Sequence, residues 1–203
     1  MPIYEFPEDG IRSRPIYRPL QPDVAARFHL MVAEGAGAEA LARLHDKLPD
    51  EASCSIHYLA GSDGPDGSDR LMQLDCQQTR IHFDDAQLAD ALRRELENAS
   101  MGTRLYVAGG EGFIWRMAAV GASCGMSEEE VHVERCGSLA RPAQCVHCKT
   151  RVEGVTTNIY ECPGCGLHVT VRDHFSRRHG AYQSVRVDAE APGELPPIEE
   201  TYR

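Results

Sequence analysis

The chain has 203 residues, of which 42% are hydrophobic and 26% are charged, and its formal net charge at pH 7 is −10. This length is typical of one or two domains, and the composition is that of a soluble globular protein able to bury a core. The acidic balance argues against nucleic acid as a partner, because a basic face supplies most of the affinity in such complexes.

The sequence offers no segment that would carry the chain into or across a membrane. No apolar run approaches the ~20 residues needed to span a bilayer. The N-terminus also lacks the basic start and apolar stretch of a secretory signal. We therefore expect a cytoplasmic location and no membrane partner.

Residues 1–28 predict a proline-rich, extended arm. Its five prolines remove amide donors and favour extended backbone. A floppy terminus is one interpretation, but the arm is too apolar for a solvated tail, which favours a strap lying on its own domain or on a partner. The apolar side chains in question are Ile3, Tyr4, Phe6, Ile16, Tyr17 and Leu20.

Strand and helix patterns alternate from residue 29 to residue 137. Strand-like runs occupy 29–34, 52–61, 79–83, 103–110 and 130–135. Helical spacing of apolar residues follows the first run at Leu41, Leu44 and Leu48, and recurs over 84–99 and 111–125. Five short strands with intervening helices predict an α/β domain with a five-stranded, parallel, doubly wound sheet.

Two glycine turns follow strands of this domain. Gly35 and Gly37 come after the first strand, and Gly109 and Gly110 after the fourth. Each turn is expected at the carboxyl end of its strand, where nucleotides bind in such sheets. Alone, each pair of glycines is weak support for a nucleotide site.

The last third of the chain divides into three segments. Residues 138–143 are typical of a linker, and residues 144–185 of a small module. Residues 186–203 are acidic and proline-rich, and we expect no secondary structure there.

The module contains two Cys-x-x-Cys pairs with thirteen residues between them: Cys145, Cys148, Cys162 and Cys165. Each pair lets one tight turn present two sulfurs to one ion, and four thiolates suit tetrahedral zinc. Gly164 and Gly166 favour a turn with positive φ, and the segment between the pairs suits two strands that turn near Gly154. The pattern predicts a zinc ribbon whose closed site stabilises the fold and does no chemistry.

Two other uses of the four cysteines compete with structural zinc. One is a rubredoxin-like iron site, which also uses paired Cys-x-x-Cys turns. The other is a redox dithiol, for which a second pair would be superfluous. The remaining cysteines are scattered, and we expect them to be free, small core side chains. They are Cys54, Cys76, Cys124 and Cys136.

A local basic cluster follows the second cysteine pair in this acidic chain. It contains Arg172, His174, Arg177, Arg178 and His179. A solvated face is the plain interpretation. Docking to an acidic partner is the functional one, with Phe175 and Tyr182 as apolar anchors, and nucleic-acid binding is a weaker third.

Residues 29–135 resemble the pyridine-nucleotide domain of ferredoxin–NADP reductase-like oxidoreductases, and among them the phthalate dioxygenase reductase group. The resemblance rests on "HLMVAEGAGAEALARL", "SIHYLAG", "RIHFDD", "RLYVAGGEGFI" and "EEEVHVER" in one consistent order. This chain departs from the family at Glu34, Glu39 and Ala108, and aspartates replace the family's arginine in the ribose loop. The resemblance implies a degenerate scaffold with a vestigial glycine turn and no bound cofactor.

The whole chain resembles the DmmA-like subunits of bacterial dimethylamine monooxygenase, also described as haem-dependent oxidative N-demethylase. The parts that match are "RSRPIYRPLQPD", the degenerate half, "CVHCK…CPGCGL", "VRDHFSRRHGAY" and "PPIEETYR". The family implies a multi-subunit enzyme that oxidises dimethylamine to methylamine and formaldehyde with NADPH and oxygen. Haem, flavin and an iron–sulfur cluster are implied on companion subunits, namely a haem-containing catalytic subunit and a reductase subunit. A tetrahydrofolate-binding subunit is a further partner that the resemblance allows.

Three functional hypotheses remain at this stage. The first is a non-catalytic, zinc-stabilised assembly subunit of such an N-demethylase, with no catalytic residue of its own. The second is an NAD(P)H-dependent reductase component with a rubredoxin-like iron site. The third is a zinc-ribbon adaptor that binds nucleic acid. Bound metal and visible colour would discriminate the first from the second.

Overall fold

The computed structural model describes residues 13–61 and 66–203. The described chain forms two compact units. The first contains residues 17–61 and 66–137, and the second contains residues 13–16 and 138–203. Ile3, Tyr4 and Phe6, which we expected in the strap, lie outside the described residues.

The first unit contains a five-stranded sheet in the order β3-β2-β1-β4-β5, and every neighbouring pair is parallel. This confirms the predicted parallel, doubly wound sheet. The strands are β1 (Phe28–Glu34), β2 (Cys54–Leu59), β3 (Gln78–His82), β4 (Thr103–Gly109) and β5 (Val131–Arg135).

Helices connect these strands and lie on both faces of the sheet. They are α1 (Gly37–His45), α2 (Ser68–Leu71), α3 (Asp85–Glu97) and α4 (Glu111–Ser123), with a 3₁₀ turn at Glu128–Glu130. The Asp84 carboxylate caps α3 by accepting the Gln87 amide at 2.8 Å. The short α2 was not predicted, because it begins inside a loop rich in glycine and aspartate.

Alternate residues of the strands pack on opposite faces, as the two-residue period of a strand requires. Met31 and Ala33 of β1 belong to an apolar cluster with α1 and α2. Leu30 and Val32 belong to a second cluster with α3 and α4. Two separate apolar layers therefore cover the sheet, which is why its central strands are continuous apolar runs.

Residues 17–28 of the arm lie on the first unit as a strap. Leu20 is 5% exposed and joins the α1 cluster. Its amide donates to the Glu134 carboxylate at 2.7 Å. Further along, the Asp23 amide donates to the Tyr106 hydroxyl at 3.0 Å, and Asp23 pairs with Arg104 at 2.5 Å. Both ends of this stretch are therefore fixed by polar contacts.

The second unit contains a five-stranded sheet in the order β7-β6-β10-β9-β8. Its β6 and β10 are parallel, and the other neighbours are antiparallel. The strands are β6 (Arg141–Cys145), β7 (Arg151–Val155), β8 (Ile159–Glu161), β9 (His168–Ser176) and β10 (Ala181–Arg186). Strand β6 takes up residues 141–143 of the predicted linker.

Two expectations for this unit were wrong. Strands β7 and β8 do not form a hairpin near Gly154, because β7 pairs with β6 and β8 pairs with β9 at opposite edges of the sheet. Phe175 and Tyr182 are not docking anchors, because they are 7% and 2% exposed. Their rings make an edge-to-face contact with centroids 4.9 Å apart, so their apolar surface packs within the unit.

The C-terminal tail is ordered although it has almost no regular secondary structure. The Arg141 guanidinium lies between the Tyr182 ring, 4.2 Å away, and the Tyr202 ring, 3.9 Å away. The Tyr202 amide donates to the Thr156 carbonyl at 2.8 Å, and the Leu139 amide donates to the carbonyl of the last residue at 2.7 Å. Cation–π contacts and backbone hydrogen bonds thus fix the tail on the second unit.

Candidate functional site

The four cysteines of the second unit converge on one point. Their sulfur atoms all lie within 4.8 Å of one another. Cys145 Sγ and Cys165 Sγ are 3.9 Å apart, and Cys148 Sγ and Cys162 Sγ are 3.5 Å apart. Metal–sulfur bonds of ~2.3 Å in a tetrahedron place sulfurs about 3.8 Å apart, so the four sulfurs fit a single ion.

Both Cys-x-x-Cys turns have the same local conformation. The Lys149 amide donates to the Cys145 carbonyl at 2.9 Å, and the Gly166 amide donates to the Cys162 carbonyl at 2.8 Å. Lys149 and Gly166, which follow the second cysteine of each turn, both have a φ of 68°. Glycine adopts this conformation freely, whereas Lys149 does so as a side-chain-bearing residue, which marks the first turn as constrained by its ligands.

Gly164 serves a different purpose from the one we expected. It is not among the residues with positive φ. Instead, a Cβ at this position would lie 2.0 Å from Thr150 Oγ1 and 3.1 Å from Cys148 Sγ. The missing side chain therefore lets the two turns approach each other closely.

The thiols of the cluster differ in acidity before any ion binds. The hydrogen bond between Cys148 Sγ and the Thr150 hydroxyl, 3.2 Å apart, lowers the pKa of Cys148 to about 6. The Leu167 amide favours the Cys165 thiolate, but burial and the neighbouring sulfurs outweigh it and raise the pKa of Cys165 to about 12. Burial raises the pKa of Cys162 as well. The Cys148 thiolate is therefore favoured, whereas the Cys162 and Cys165 thiolates need a nearby cation to favour them.

The predicted glycine turns lie side by side in the first unit. Strands β1 and β4 are neighbours, so the turn at Gly35 and the turn at Gly109 meet at one edge of the sheet. Gly35 has a φ of 46°. A Cβ on Gly37 would lie 2.2 Å from the Ala108 carbonyl oxygen, so α1 packs directly on β4. The backbone of a nucleotide-type turn is therefore present.

A carboxylate occupies the start of α4, where the glycine turns meet. The Gly110 amide donates to Glu34 Oε1 at 3.1 Å. A Cβ on Gly109 would lie 2.7 Å from Glu34 Cγ, so the glycine accommodates the Glu34 side chain. The partial positive charge of a helix N-terminus suits an anion, and here the anion is part of the chain. Glu39 instead pairs with Arg70 at 3.3 Å.

The arm also contributes to this edge of the sheet. Tyr17 donates its hydroxyl proton to Glu111 Oε1 at 2.6 Å and accepts the Trp115 indole N–H at 2.9 Å. Glu111 is the first residue of α4 and is 1% exposed. Sequence reasoning missed this contact, and its one signal was a glutamate directly after a pair of glycines.

Two family models match this chain. The N-terminal domain of the dimethylamine monooxygenase subunit DmmA-like family matches residues 9–131, and its C-terminal domain matches residues 143–185. The chain belongs to the DmmA-like family. The heme-dependent oxidative N-demethylase delta subunit of Ectopseudomonas mendocina (strain ymp) is 32% identical to this DmmA-like chain over 180 residues. That alignment covers 89% of this chain and 91% of the relative.

Solved structures are similar to this DmmA-like chain only at a low level. Phthalate dioxygenase reductase has a TM-score of 0.46 and 21% identity, over 69% of this chain and 46% of that chain. The ferredoxin reductase in carbazole 1,9a-dioxygenase has a TM-score of 0.40 and 15% identity, over 59% of this chain and 37% of that chain. The chain thus spans less than half of either protein, and likeness at this level carries no inference about activity.

The expectation that all scattered cysteines of the DmmA-like chain are free was wrong. Cys54 and Cys76 form a disulfide, and their Cα atoms are 5.1 Å apart. Cys54 begins β2, and the Gln77 amide donates to its carbonyl at 2.9 Å, so the neighbouring starts of β2 and β3 hold the two cysteines together. Cys124 and Cys136 are free and half-buried, as core cysteines would be.

The arginines of the predicted basic cluster lie on the surface of the DmmA-like chain. Arg172, Arg177 and Arg178 are exposed on and after β9, and their docking role stays a prediction. Across the described residues, no helix has both the length and the apolar character needed to cross a membrane.

Proposed function

We propose that this DmmA-like chain is a non-catalytic, zinc-stabilised assembly subunit of a multi-subunit N-demethylase. The complex would use NADPH and oxygen to convert dimethylamine to methylamine and formaldehyde. Family membership and the named relative support a subunit role in an oxidative N-demethylase. The geometry of the two units supports the more specific parts of the proposal.

The observation that carries the non-catalytic assignment is the Glu34 carboxylate at the start of α4, 3.1 Å from the Gly110 amide. A cofactor pyrophosphate at this position would lose the amide to Glu34 and would face a like charge. Two unit charges 4 Å apart repel by about 4 kcal/mol at an effective dielectric constant of 20. Tyr17 lies at the same helix start, so a nucleotide would also have to displace the arm.

The metal centre supports the same assignment. Cys145 and Cys162 are 0% exposed, and four cysteine sulfurs already complete a tetrahedral coordination shell. Such a centre leaves no position for water or substrate, so its contribution is to the stability of the second unit. In this proposal Zn²⁺ is the bound ion, and Cys145, Cys148, Cys162 and Cys165 are its ligands.

The redox chemistry would then belong to companion subunits. We assign haem to a catalytic subunit, and flavin, an iron–sulfur cluster and NADPH to a reductase subunit. A tetrahydrofolate-binding subunit would accept the formaldehyde. The name of the relative, a delta subunit of a heme-dependent enzyme, supports a complex of several different chains.

A subunit-omission experiment tests the assembly role. The companion subunits are co-expressed with and without this chain, and dimethylamine-dependent NADPH oxidation and co-purification are measured. We expect activity to fall to background and the haem and reductase subunits to separate when this chain is omitted. Full activity of the complex without this chain would rule the assembly role out.

Elemental analysis and a visible spectrum of the purified chain test the identity of the metal. We expect zinc and no absorption in the visible range. Iron with a thiolate charge-transfer band would instead support the alternative function, an NAD(P)H-dependent reductase component with a rubredoxin-like iron site.

Trp115 gives a direct test of nucleotide binding, because it is the single tryptophan and lies 2.9 Å from the Tyr17 hydroxyl at the start of α4. We expect NADPH at concentrations up to about 1 mM to leave its emission unchanged, which sets the binding free energy weaker than about −4 kcal/mol. N-acetyltryptophanamide corrects for absorption by NADPH. Tyr17→Phe, which alters the partner of the indole, shows that the probe responds. Saturable energy transfer to NADPH in the unmodified chain would contradict the degenerate assignment.

A further inference from the structure

A polar network lies between the sheet and α3, on the face opposite α1. Ser55 and His57 point from β2 to this side and are 3% and 0% exposed. Glu95 of α3 reaches into the same layer and contacts both of them. Central strands of a parallel sheet are usually apolar on both faces, so polar side chains here need a specific explanation.

The network is a continuous chain of hydrogen bonds. Glu95 accepts hydrogen bonds from the Ser55 hydroxyl, from His57 Nε2 at 2.9 Å and from Arg80 Nη1 at 3.0 Å. His57 Nδ1 and His82 Nε2 are 3.0 Å apart. Because His57 donates from Nε2 to the carboxylate, neutral His57 accepts at Nδ1, and His82 must donate from Nε2. His82 is thereby left with Nδ1 as a proton acceptor.

The hydrogen-bond chain from Glu95 through His57 to His82 is called the relay below. Its surroundings set the charge of the two end residues, Glu95 and His82. Burial would raise the pKa of Glu95, but hydrogen bonds from His57 and Ser55 outweigh it and hold the pKa below its usual value. Burial, together with His57 and Arg80, lowers the pKa of His82. The relay therefore consists of an ionised carboxylate and two imidazoles, of which the outer one is neutral and able to accept a proton.

His82 lines a groove of about 1240 Å³ between α3 and the edge strand β3. This volume is close to the ~300–1,000 Å³ range of small-molecule sites. The lining residues on α3 extend from Gln87 to Asn98, a helical rise of about 16 Å. The groove runs from Ser53 and Thr103, at the amino ends of β2 and β4, to His82 at the carboxyl end of β3. Its lining does not include the glycines of the two turns, which are Gly35, Gly37, Gly109 and Gly110.

The groove is basic although the chain as a whole is acidic. Its cationic side chains are Arg27, Arg80 and Arg94. Of its two carboxylates, Asp90 pairs with Arg93 at 2.6 Å, and Glu95 is held within the relay. Among the described residues, Arg27 and Arg94 have no ion-pair partner. The balance of the lining thus favours an anion.

We propose that this groove binds a small organic anion, a carboxylate or a phosphate ester, whose charge contacts Arg80 and Arg94, and that His82 takes up a proton as the anion binds. His82 Nδ1 takes this proton from the buffered solvent, and no electron transfer accompanies it. The Glu95 carboxylate stabilises the resulting imidazolium through His57. The elements around His82 carry several charged and titratable groups. Those that line the groove or join the hydrogen-bond chain are His57 of β2, Arg80 of β3, and Asp90, Arg94 and Glu95 of α3, and the others on α3 are its N-cap Asp84, Asp85, Arg93 and Glu97.

Isothermal titration calorimetry on the full, metal-loaded chain tests the proposal, with pyrophosphate and succinate as separate probes. Binding of pyrophosphate alone identifies a phosphate ligand, and binding of succinate alone identifies a carboxylate. We expect Arg94→Gln to weaken binding of the preferred probe by about ten-fold, the size of a lost hydrogen bond to a charged group. Arg178→Gln is the control, because it removes the same charge from an exposed position outside the groove, and we expect it to bind normally.

Proton uptake gives a readout that general charge attraction would not produce. Titrations in two buffers of different ionisation enthalpy should show proton uptake in the unmodified chain and its loss in His82→Gln. If neither probe binds, the groove is not an anion site. Equal weakening by Arg178→Gln and Arg94→Gln would reduce the finding to an adventitious ion only. Both results leave the assembly role untouched, because that role is tested by subunit omission.

Discussion

Replacing Cys162 with serine will unfold the second unit, residues 138–203, and leave the first unit folded. The apolar cluster around the sulfurs has only three buried members, two of which are the ligands Cys145 and Cys162, and the third is Val169. The unit also buries Val155, Ile159, Val171, Phe175 and Tyr182 elsewhere, but a core of this size leaves little net stability after the conformational entropy of ordering the unit is offset. Structural zinc supplies roughly 10–16 kcal/mol of apparent folding free energy in comparable small modules, and this free energy is lost with a ligand.

The measurement is a two-dimensional amide NMR spectrum recorded before and after the substitution, and before and after a strong chelator. We expect the dispersed signals of 138–203 to collapse in both cases, while the signals of 17–61 and 66–137 persist. Cys124→Ser is the matched control, because Cys124 is a free, half-buried cysteine of the first unit. Retention of dispersed signals in the chelated second unit would show that its fold does not depend on the metal.

The central strands of the first unit were predictable because each is a short, mainly apolar run beside glycine or serine. Runs such as "HLMVAE" and "RLYVAGG" carry their burial in their own residues. The metal ligands were predictable for a related reason. Cys-x-x-Cys spacing is a local geometric requirement, and sequence displays local requirements directly.

The pairing order of the second sheet was not predictable from local pattern. The segment between the cysteine pairs is short and has a glycine near its middle, which favours a hairpin. The observed order instead places β10 between β6 and β9, and this depends on residues forty positions later in the chain, up to Arg186. Long-range pairing of this kind is invisible to a window that covers one turn.

Contacts between distant polar residues were missed for the same reason. Nothing in the sequence near Tyr17 indicates Glu111, and nothing near Ser55 indicates Glu95. The relay had one readable trace, which is the placement of polar residues at alternate positions of a strand that is otherwise apolar. The disulfide had no readable trace, because scattered cysteines of a chain expected in a reducing compartment are usually free thiols.

Removing the disulfide between Cys54 and Cys76 will destabilise the first unit by about 3 kcal/mol. The bond closes a loop with a sequence separation of 22 that contains α2, and an open loop gains entropy in the unfolded chain. Urea unfolding of Cys54→Ser/Cys76→Ser measures the change against the unmodified chain, and a phosphine reductant should shift the unmodified chain to the midpoint of the variant. The reductant should leave the urea midpoint of the variant unchanged.

Alkylation in denaturant gives an independent count of free thiols, in which six cysteines react before reduction and all eight after it. If eight react without reductant, or if the reductant leaves the midpoint of the unmodified chain unchanged, the cysteines are packed thiols and the loop is held by β2 and β3 alone.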